Sequence, residues 1–137
     1  MGTDHGVVGQ PFPVSESVTE ACKPTRPGVF RWSSCDEVSE LLAQMAKEPR
    51  DERWAAAKEE VLRAHTEKEP GRFTIRALEC RKSICFVETA SLSGAMLDPS
   101  YGYLKEHGLA ARYPVFASET DSSGALWTIT LFPFVRR

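Results

Sequence analysis

The most regular alternation of apolar and polar positions in the chain lies in residues 72–90. An apolar residue stands at every second position of the first half, which is the period of a half-buried strand. These apolar residues are Phe73, Ile75 and Ala77. A polar turn at 81–83 separates them from a second apolar run. The stretch therefore predicts a β-hairpin, with Cys80 and Cys85 facing each other at its closed end.

Two later stretches predict a second hairpin. Residues 113–118 alternate as a strand, in which Pro114 must lie at a sheet edge or at the strand's beginning because proline has no N–H to donate. A polar loop precedes residues 125–135, the most strand-like run in the chain. Its expected core face consists of Trp127, Ile129 and Leu131.

Three stretches have helical spacing. Residues 35–47 carry an apolar stripe, and Ser34 with Glu37 has the spacing of a capping box at the entry. Residues 51–66 follow Pro49 and form a second amphipathic helix. Residues 100–107 suit a short third helix between the two hairpins.

This order of elements predicts an α+β fold. We expect a two-layer sandwich in which the N-terminal helices pack on one face of an antiparallel sheet of two β-hairpins. Residues 1–34 contain proline and glycine repeatedly and show no sustained period, which predicts an irregular arm ahead of a single domain at 35–137. At 137 residues the chain is long enough to bury a core without cross-links.

The four cysteines allow three disulfide pairings. We favour Cys22–Cys35, which ties the arm to the first helix, together with Cys80–Cys85, which closes the first hairpin. In the chain-entropy model the first bond raises the free energy of unfolding by about 3 kcal/mol and the second by about 2 kcal/mol. Two buried thiols remain an alternative for the second pair. A zinc site is disfavoured because C-x4-C is not a usual ligand spacing, so we expect no bound metal.

Composition and charge restrict the class of protein. The apolar fraction of 42% and the charged fraction of 26% are those of an ordinary soluble globular domain. A net charge of −2 argues against nucleic acid as a partner. No apolar run approaches the ~18 residues of a membrane span. The first ten residues lack the features of a secretory signal, and we expect a signal or anchor to have been removed ahead of Met1.

Motifs of known chemistry are missing from the sequence. It contains no nucleophile elbow, zinc-protease, phosphate-loop or EF-hand pattern, and its three histidines lie far apart. We therefore expect no catalytic residue and no cofactor. Glu79 and Glu88 could form an acid–base pair, but cross-strand ion pairs with neighbouring arginines also explain them. Tyr101, Tyr103 and Pro114 are the candidate binding surface.

One ordered set of residues resembles a known group of proteins. Asp51-x-x-Trp54-Ala55, then a helix, then Glu79-Cys80-Arg81-x-x-x-Cys85-x-Val87-Glu88 resembles small uncharacterised extracytoplasmic proteins of Gram-negative bacteria, usually found behind a signal peptide or anchor. The resemblance covers about residues 49–88. It implies a periplasmic or secreted bacterial protein with Cys80 paired to Cys85. The group has no assigned activity, so it supplies no catalytic residues.

Two hypotheses of function follow. The first is a non-catalytic, disulfide-stapled extracytoplasmic module that binds another protein, or a second copy of itself, through the arm or the sheet edge near Pro114. The second is a thiol-redox protein that uses Cys80 and Cys85, with the basic pair Arg81-Lys82 lowering a thiol pKa. The two differ in how easily the Cys80–Cys85 bond is reduced.

Overall fold

The computed structural model describes residues 12–23, 33–68, 73–92 and 101–137. Within them the chain forms helices and strands in an order that begins with helices and ends with the sheet's longest strand. The elements are α1 (Glu16–Ala21), α2 (Ser33–Lys47), α3 (Glu52–Thr66), β1 (Thr74–Cys80), β2 (Ile84–Ser91), α4 (Tyr101–Glu106), β3 (Leu109–Ala111), β4 (Val115–Thr120) and β5 (Leu126–Arg136).

All described strands belong to one antiparallel sheet. Strand β2 lies between β1 and β5, and the far side of β5 pairs with β3 near its end and with β4 along its first half. Both predicted hairpins, β1–β2 and β4–β5, are confirmed. Strand β3 was not predicted, because three residues are too few to show a period.

The helices pack on both faces of this sheet. Helices α1 and α2 share one apolar core with alternate residues of β2 and β5, and α3 and α4 share a second core with the residues between them. The α+β class is confirmed, with helices packed on an antiparallel sheet. The helices, however, form two layers around the sheet rather than the single layer that we expected, since all eight positions of β2 are buried.

The expected core face of β5 illustrates this difference. Ile129 and Leu131 pack on the α2 side as predicted, and Trp127 is partly buried beside them. Phe132 and Phe134 point the other way and are buried against α3 and α4. The predicted alternation of side chains along β5 was therefore correct, but the side chains on both faces of the strand are buried in a core.

The helix boundaries follow the sequence closely. Helix α2 begins at Ser33, so Ser34 lies within its first turn rather than at the predicted cap. Asp51 caps α3 by accepting a hydrogen bond from the Trp54 N–H at 3.2 Å. Among the described helices, none is long and apolar enough to cross a membrane.

Helix α1 lies inside the segment predicted as an irregular arm. Its N-cap is Ser15, and Phe12 and Val18 are buried in the α2-side core. A six-residue helix is too short to be stable alone, so these tertiary contacts hold it. The division into an arm at 1–34 and a domain at 35–137 stays a prediction.

Candidate functional site

A groove of about 510 Å³ lies beside the beginning of β4. One wall is the chain that leads into β4, and the other is formed where α1 ends and α2 begins. Among the described residues the lining is mostly apolar, and it consists of Ala21, Ser34, Cys35, Tyr113, Pro114, Val115 and Phe116. We call this feature the β4 groove.

The β4 groove opens along the outer edge of the strand. Val115 and Phe116 point to opposite faces of the sheet, because successive side chains of a strand alternate. Val115 is buried in the α2-side core, whereas Phe116 is 42% exposed, yet both line the groove. Of the described strands, only β5 pairs with β4. The outer side of β4, whose beginning lines the groove, is therefore an edge to which another strand could be added.

Exposed aromatic rings flank the predicted proline. Tyr113 is 75% exposed and precedes Pro114, which stands directly before β4 and so needs no ladder hydrogen bond. Exposed aromatic side chains on a chain of ordinary composition mark contact surfaces more often than isolated aliphatic ones do.

A charged cluster docks α1 on the sheet beside the groove. The Arg76 guanidinium lies 3.7 Å from the nearly buried Glu88 and 3.4 Å from Glu119. Glu88 also accepts a hydrogen bond from the Ser15 N–H at 3.1 Å, and Glu119 accepts one from the Ser17 hydroxyl at 2.5 Å. The Ser17 hydroxyl, and then Arg76, lower the pKa of Glu119. The cluster fixes the first turn of α1 against β2 and β4.

The Cys22–Cys35 disulfide joins the two helical parts of the groove wall. Cys22 is the C-cap of α1, and Cys35 stands in the first turn of α2. Their Cα atoms are 5.7 Å apart. Because Cys35 lines the groove and Ala21 precedes Cys22, this bond sets how close the end of α1 lies to α2.

The Cys80–Cys85 disulfide closes the β1–β2 hairpin. The two residues are direct partners in the register of the strands, and the exposed fraction of each is 0%. Both disulfides are thus those that the sequence analysis favoured. No group of three or more His, Cys, Asp or Glu among the described residues is arranged to hold a metal ion.

The backbone of Cys80 is held by a partly buried ion pair between Arg50, just before α3, and Glu59, within α3. Glu59 accepts the Cys80 N–H at 2.9 Å, and Arg50 donates to the Cys80 carbonyl at 3.1 Å. Arg50 and Glu59 also pair with each other at 2.6 Å. The hydrogen bonds that Arg50 donates to Glu59, and then to Glu52, raise the pKa of Arg50. Cutting the disulfide would leave these contacts to the strand in place.

Arg81 caps helix α2 rather than activating a thiol. Its guanidinium is almost fully buried and donates to the carbonyls of Met45 at 3.2 Å and Glu48 at 3.3 Å. The Glu48 carboxylate in turn accepts the N–H groups of Lys82 and Ser83 and the Ser83 hydroxyl. Cys80 and Cys85 themselves have no exposed surface and pack in the apolar core on the α3 side, which favours a structural disulfide over a redox pair.

The structure separates two of the residues predicted to form a binding surface. Tyr103 packs on the α3 side of the sheet, stacked on His65 with ring centroids 5.3 Å apart and tilted against His107 at 4.7 Å. Pro114 lines the β4 groove beside α1 and α2. The Tyr101 side chain lies outside the described residues. Of the two members that the structure describes, Pro114 lines the groove and Tyr103 does not.

Sequence reasoning missed the groove residues around Pro114. Tyr113 and Phe116 stand on either side of a proline in a predicted edge strand, and that pattern is a usable signal. Ala21 and Ser34 gave no signal, because only the folded chain brings the end of α1 and the start of α2 to β4.

No family model, curated protein or solved structure matches this chain. The resemblance that covers residues 49–88 stays a prediction.

Proposed function

We propose that this protein is a non-catalytic, disulfide-stapled extracytoplasmic module that binds an extended segment of another protein. The segment lies along the outer edge of β4 and places an apolar side chain in the β4 groove. The observation that supports this proposal is the position of the groove, which lies between the helices and the beginning of β4, a strand whose outer edge pairs with no other described strand.

Strand addition explains how such a site binds. Main-chain hydrogen bonds to alternate β4 residues supply affinity, and a pocket beside the strand selects side chains. The groove volume of about 510 Å³ falls within the roughly 300–1,000 Å³ of ligand pockets. Strand β4 is held by six paired residues of β5 and by buried Val115. A site that is already ordered loses little entropy on binding.

Three observations support an extracytoplasmic location. Both cysteine pairs are oxidised, and structural disulfides persist mainly in oxidising compartments. The Cys80–Cys85 bond is fully buried in the α3-side apolar core, as expected of a structural disulfide. The residue pattern at 49–88 resembles extracytoplasmic bacterial proteins.

The first test is selection of binding peptides from a displayed random library. We expect selected peptides to carry an apolar residue in an extended stretch and to protect β4 amides from hydrogen exchange. N-methylation of alternate peptide residues should abolish binding at the positions that face β4 and be tolerated at those between. Peptides that bind while β4 exchange is unchanged would contradict the proposal.

Matched substitutions locate the binding site. Tyr113→Ala and Phe116→Ala should each weaken binding of a selected peptide by about tenfold or more, which is about 1.4 kcal/mol. Leu126→Ala is the control, because Leu126 is 59% exposed on the same hairpin but does not line the groove. Equal losses for the groove variants and the control would refute the site.

A further inference from the structure

We infer that the Cys22–Cys35 disulfide is a selectively reducible bond that assembles the β4 groove, and that its reduction takes the groove apart while the sheet stays folded. The structural part of this inference is independent of any ligand. Its meaning for binding rests on the proposed function, since the groove is the proposed site.

The surroundings of the two disulfides differ. Cys22 is only partly buried at the end of a short helix, and Cys35, although nearly buried, lines an open groove. Cys80 and Cys85 have no exposed surface and pack in the α3-side apolar core. Thiol–disulfide exchange needs a thiolate to reach a sulfur, so a solvent reductant opens Cys22–Cys35 first.

The end of α1 depends on this bond. The polar contacts between α1 and the sheet come from Ser15 and Ser17 at its beginning, and Val18 supplies its buried contact. At the other end, the ion pair of Glu20 with Lys23 is made within the segment itself. A six-residue helix has little stability of its own. Loss of the disulfide therefore frees Ala21 and Cys22 from α2.

The reaction consumes one dithiol per bond. A thiolate of the dithiol attacks Cys22 Sγ, the disulfide breaks, and Cys35 leaves as a thiolate that takes up a proton. The second thiol of the reductant then displaces Cys22, giving an oxidised reductant and two protein thiols. Two electrons and two protons pass to the protein.

Binding through the groove is then coupled to oxidation. The wall that holds a partner's side chain forms only after Cys22–Cys35 closes, so the reduced chain folds its sheet without a complete site. A protein of this kind becomes competent to bind only in an oxidising compartment.

Graded reduction tests the inference. We would treat the oxidised protein with increasing dithiothreitol, alkylate the quenched samples, and map both disulfides and amide exchange by mass spectrometry. We expect Cys22–Cys35 to open at least about tenfold faster than Cys80–Cys85, in line with its greater access. Exchange should rise in residues 16–23 and 113–116 and stay unchanged in 74–91. Opening of both bonds together, or faster exchange throughout the sheet, would overturn the inference.

Two double variants separate this inference from the proposed function. Cys22→Ser with Cys35→Ser should keep the sheet's exchange protection but lose affinity for a selected peptide by tenfold or more. Cys80→Ser with Cys85→Ser, the control, should lower stability and keep that affinity. If the first variant binds as well as the parent, the inference fails and the proposed function stands. If no selected peptide binds the oxidised parent at β4, the proposed function fails, and the reduction experiment still decides the inference.

Discussion

At the scale of single residues, several buried or partly buried charged side chains form hydrogen bonds with backbone groups. Arg81 is 4% exposed and donates hydrogen bonds to the carbonyl of Met45 in the last turn of α2 and to that of Glu48 just beyond it. Glu59 accepts the Cys80 N–H, and Arg50 donates to the Cys80 carbonyl. An unsatisfied buried carbonyl costs about 1–3 kcal/mol, so one such side chain outweighs several surface ion pairs.

Replacing Arg81 tests this role. Arg81→Met should lower the free energy of unfolding by about 2–4 kcal/mol, because it removes the donor from the α2 carbonyls and leaves Glu79 without its partner. Lys82→Met is the control, since Lys82 is exposed and its backbone, which the substitution keeps, makes its hydrogen bonds to Glu48 and Arg136. Urea denaturation measures both. A cost below about 1 kcal/mol for Arg81→Met would show that the cap is dispensable.

Asp121 makes the β4–β5 loop sensitive to acid. Hydrogen bonds from the Ser123 hydroxyl, then from the Trp127 indole and from backbone N–H groups, lower its pKa from 3.8 to about 2. Because the folded-state pKa is the lower one, the stabilisation is complete above pH 3.8 and disappears as the pH falls towards 2.

Asp121→Asn isolates this contribution. The variant cannot ionise, so it should be less stable than the parent above pH 4, and the gap should shrink as the pH falls from about 4 to about 2. Urea midpoints of both proteins, measured at several pH values, would give this difference in stability. A gap that stays constant over that range would mean that ionisation of Asp121 does not stabilise the fold.

At the scale of elements, the sequence predicted what local pattern determines. The hairpins, the two long helices and the favoured cysteine pairs follow from periods, caps and turns that lie close together in the chain. The order of strands around β5 and the burial of both its faces depend on partners far apart in sequence. Glu88 shows the limit, since a carboxylate in a strand predicts exposure, whereas here Arg76 and the Ser15 N–H allow its burial.

Pro133 explains why one side of β5 has two partners. Proline is rare in central strands because it lacks an N–H. In an antiparallel strand the N and C=O of one residue point to the same side, and the Pro133 carbonyl accepts the Arg112 N–H. The N–H that proline lacks would have been on the side of β5 that faces the gap between β3 and β4. No ladder hydrogen bond is lost there, because the pairing is already interrupted.

At the scale of the whole molecule, the sheet divides the interior into two cores. Met45 belongs to the α2-side core and Leu62 to the α3-side core, and both are fully buried. Met45→Ala and Leu62→Ala should each lower the free energy of unfolding by about 2–5 kcal/mol.

The double variant tests the separation of the cores. Because the sheet lies between the two sites, their effects should add to within about 0.5 kcal/mol. Urea denaturation of the parent, the two single variants and the double variant completes the double-mutant cycle. Coupling above about 1 kcal/mol would mean that the two cores act as one.

The position of β5 in the chain also determines when the protein can fold. It is the last of the described strands to be synthesised, yet β2, β3 and β4 all pair with it. The sheet therefore cannot form completely until residue 136 is available, and until then β2, β3 and β4 lack the strand with which they pair. Both disulfides join residues that are near neighbours, 13 and 5 positions apart. Residues this close in sequence meet often even in an unfolded chain, so correct oxidation can precede the pairing of β5 with the rest of the sheet.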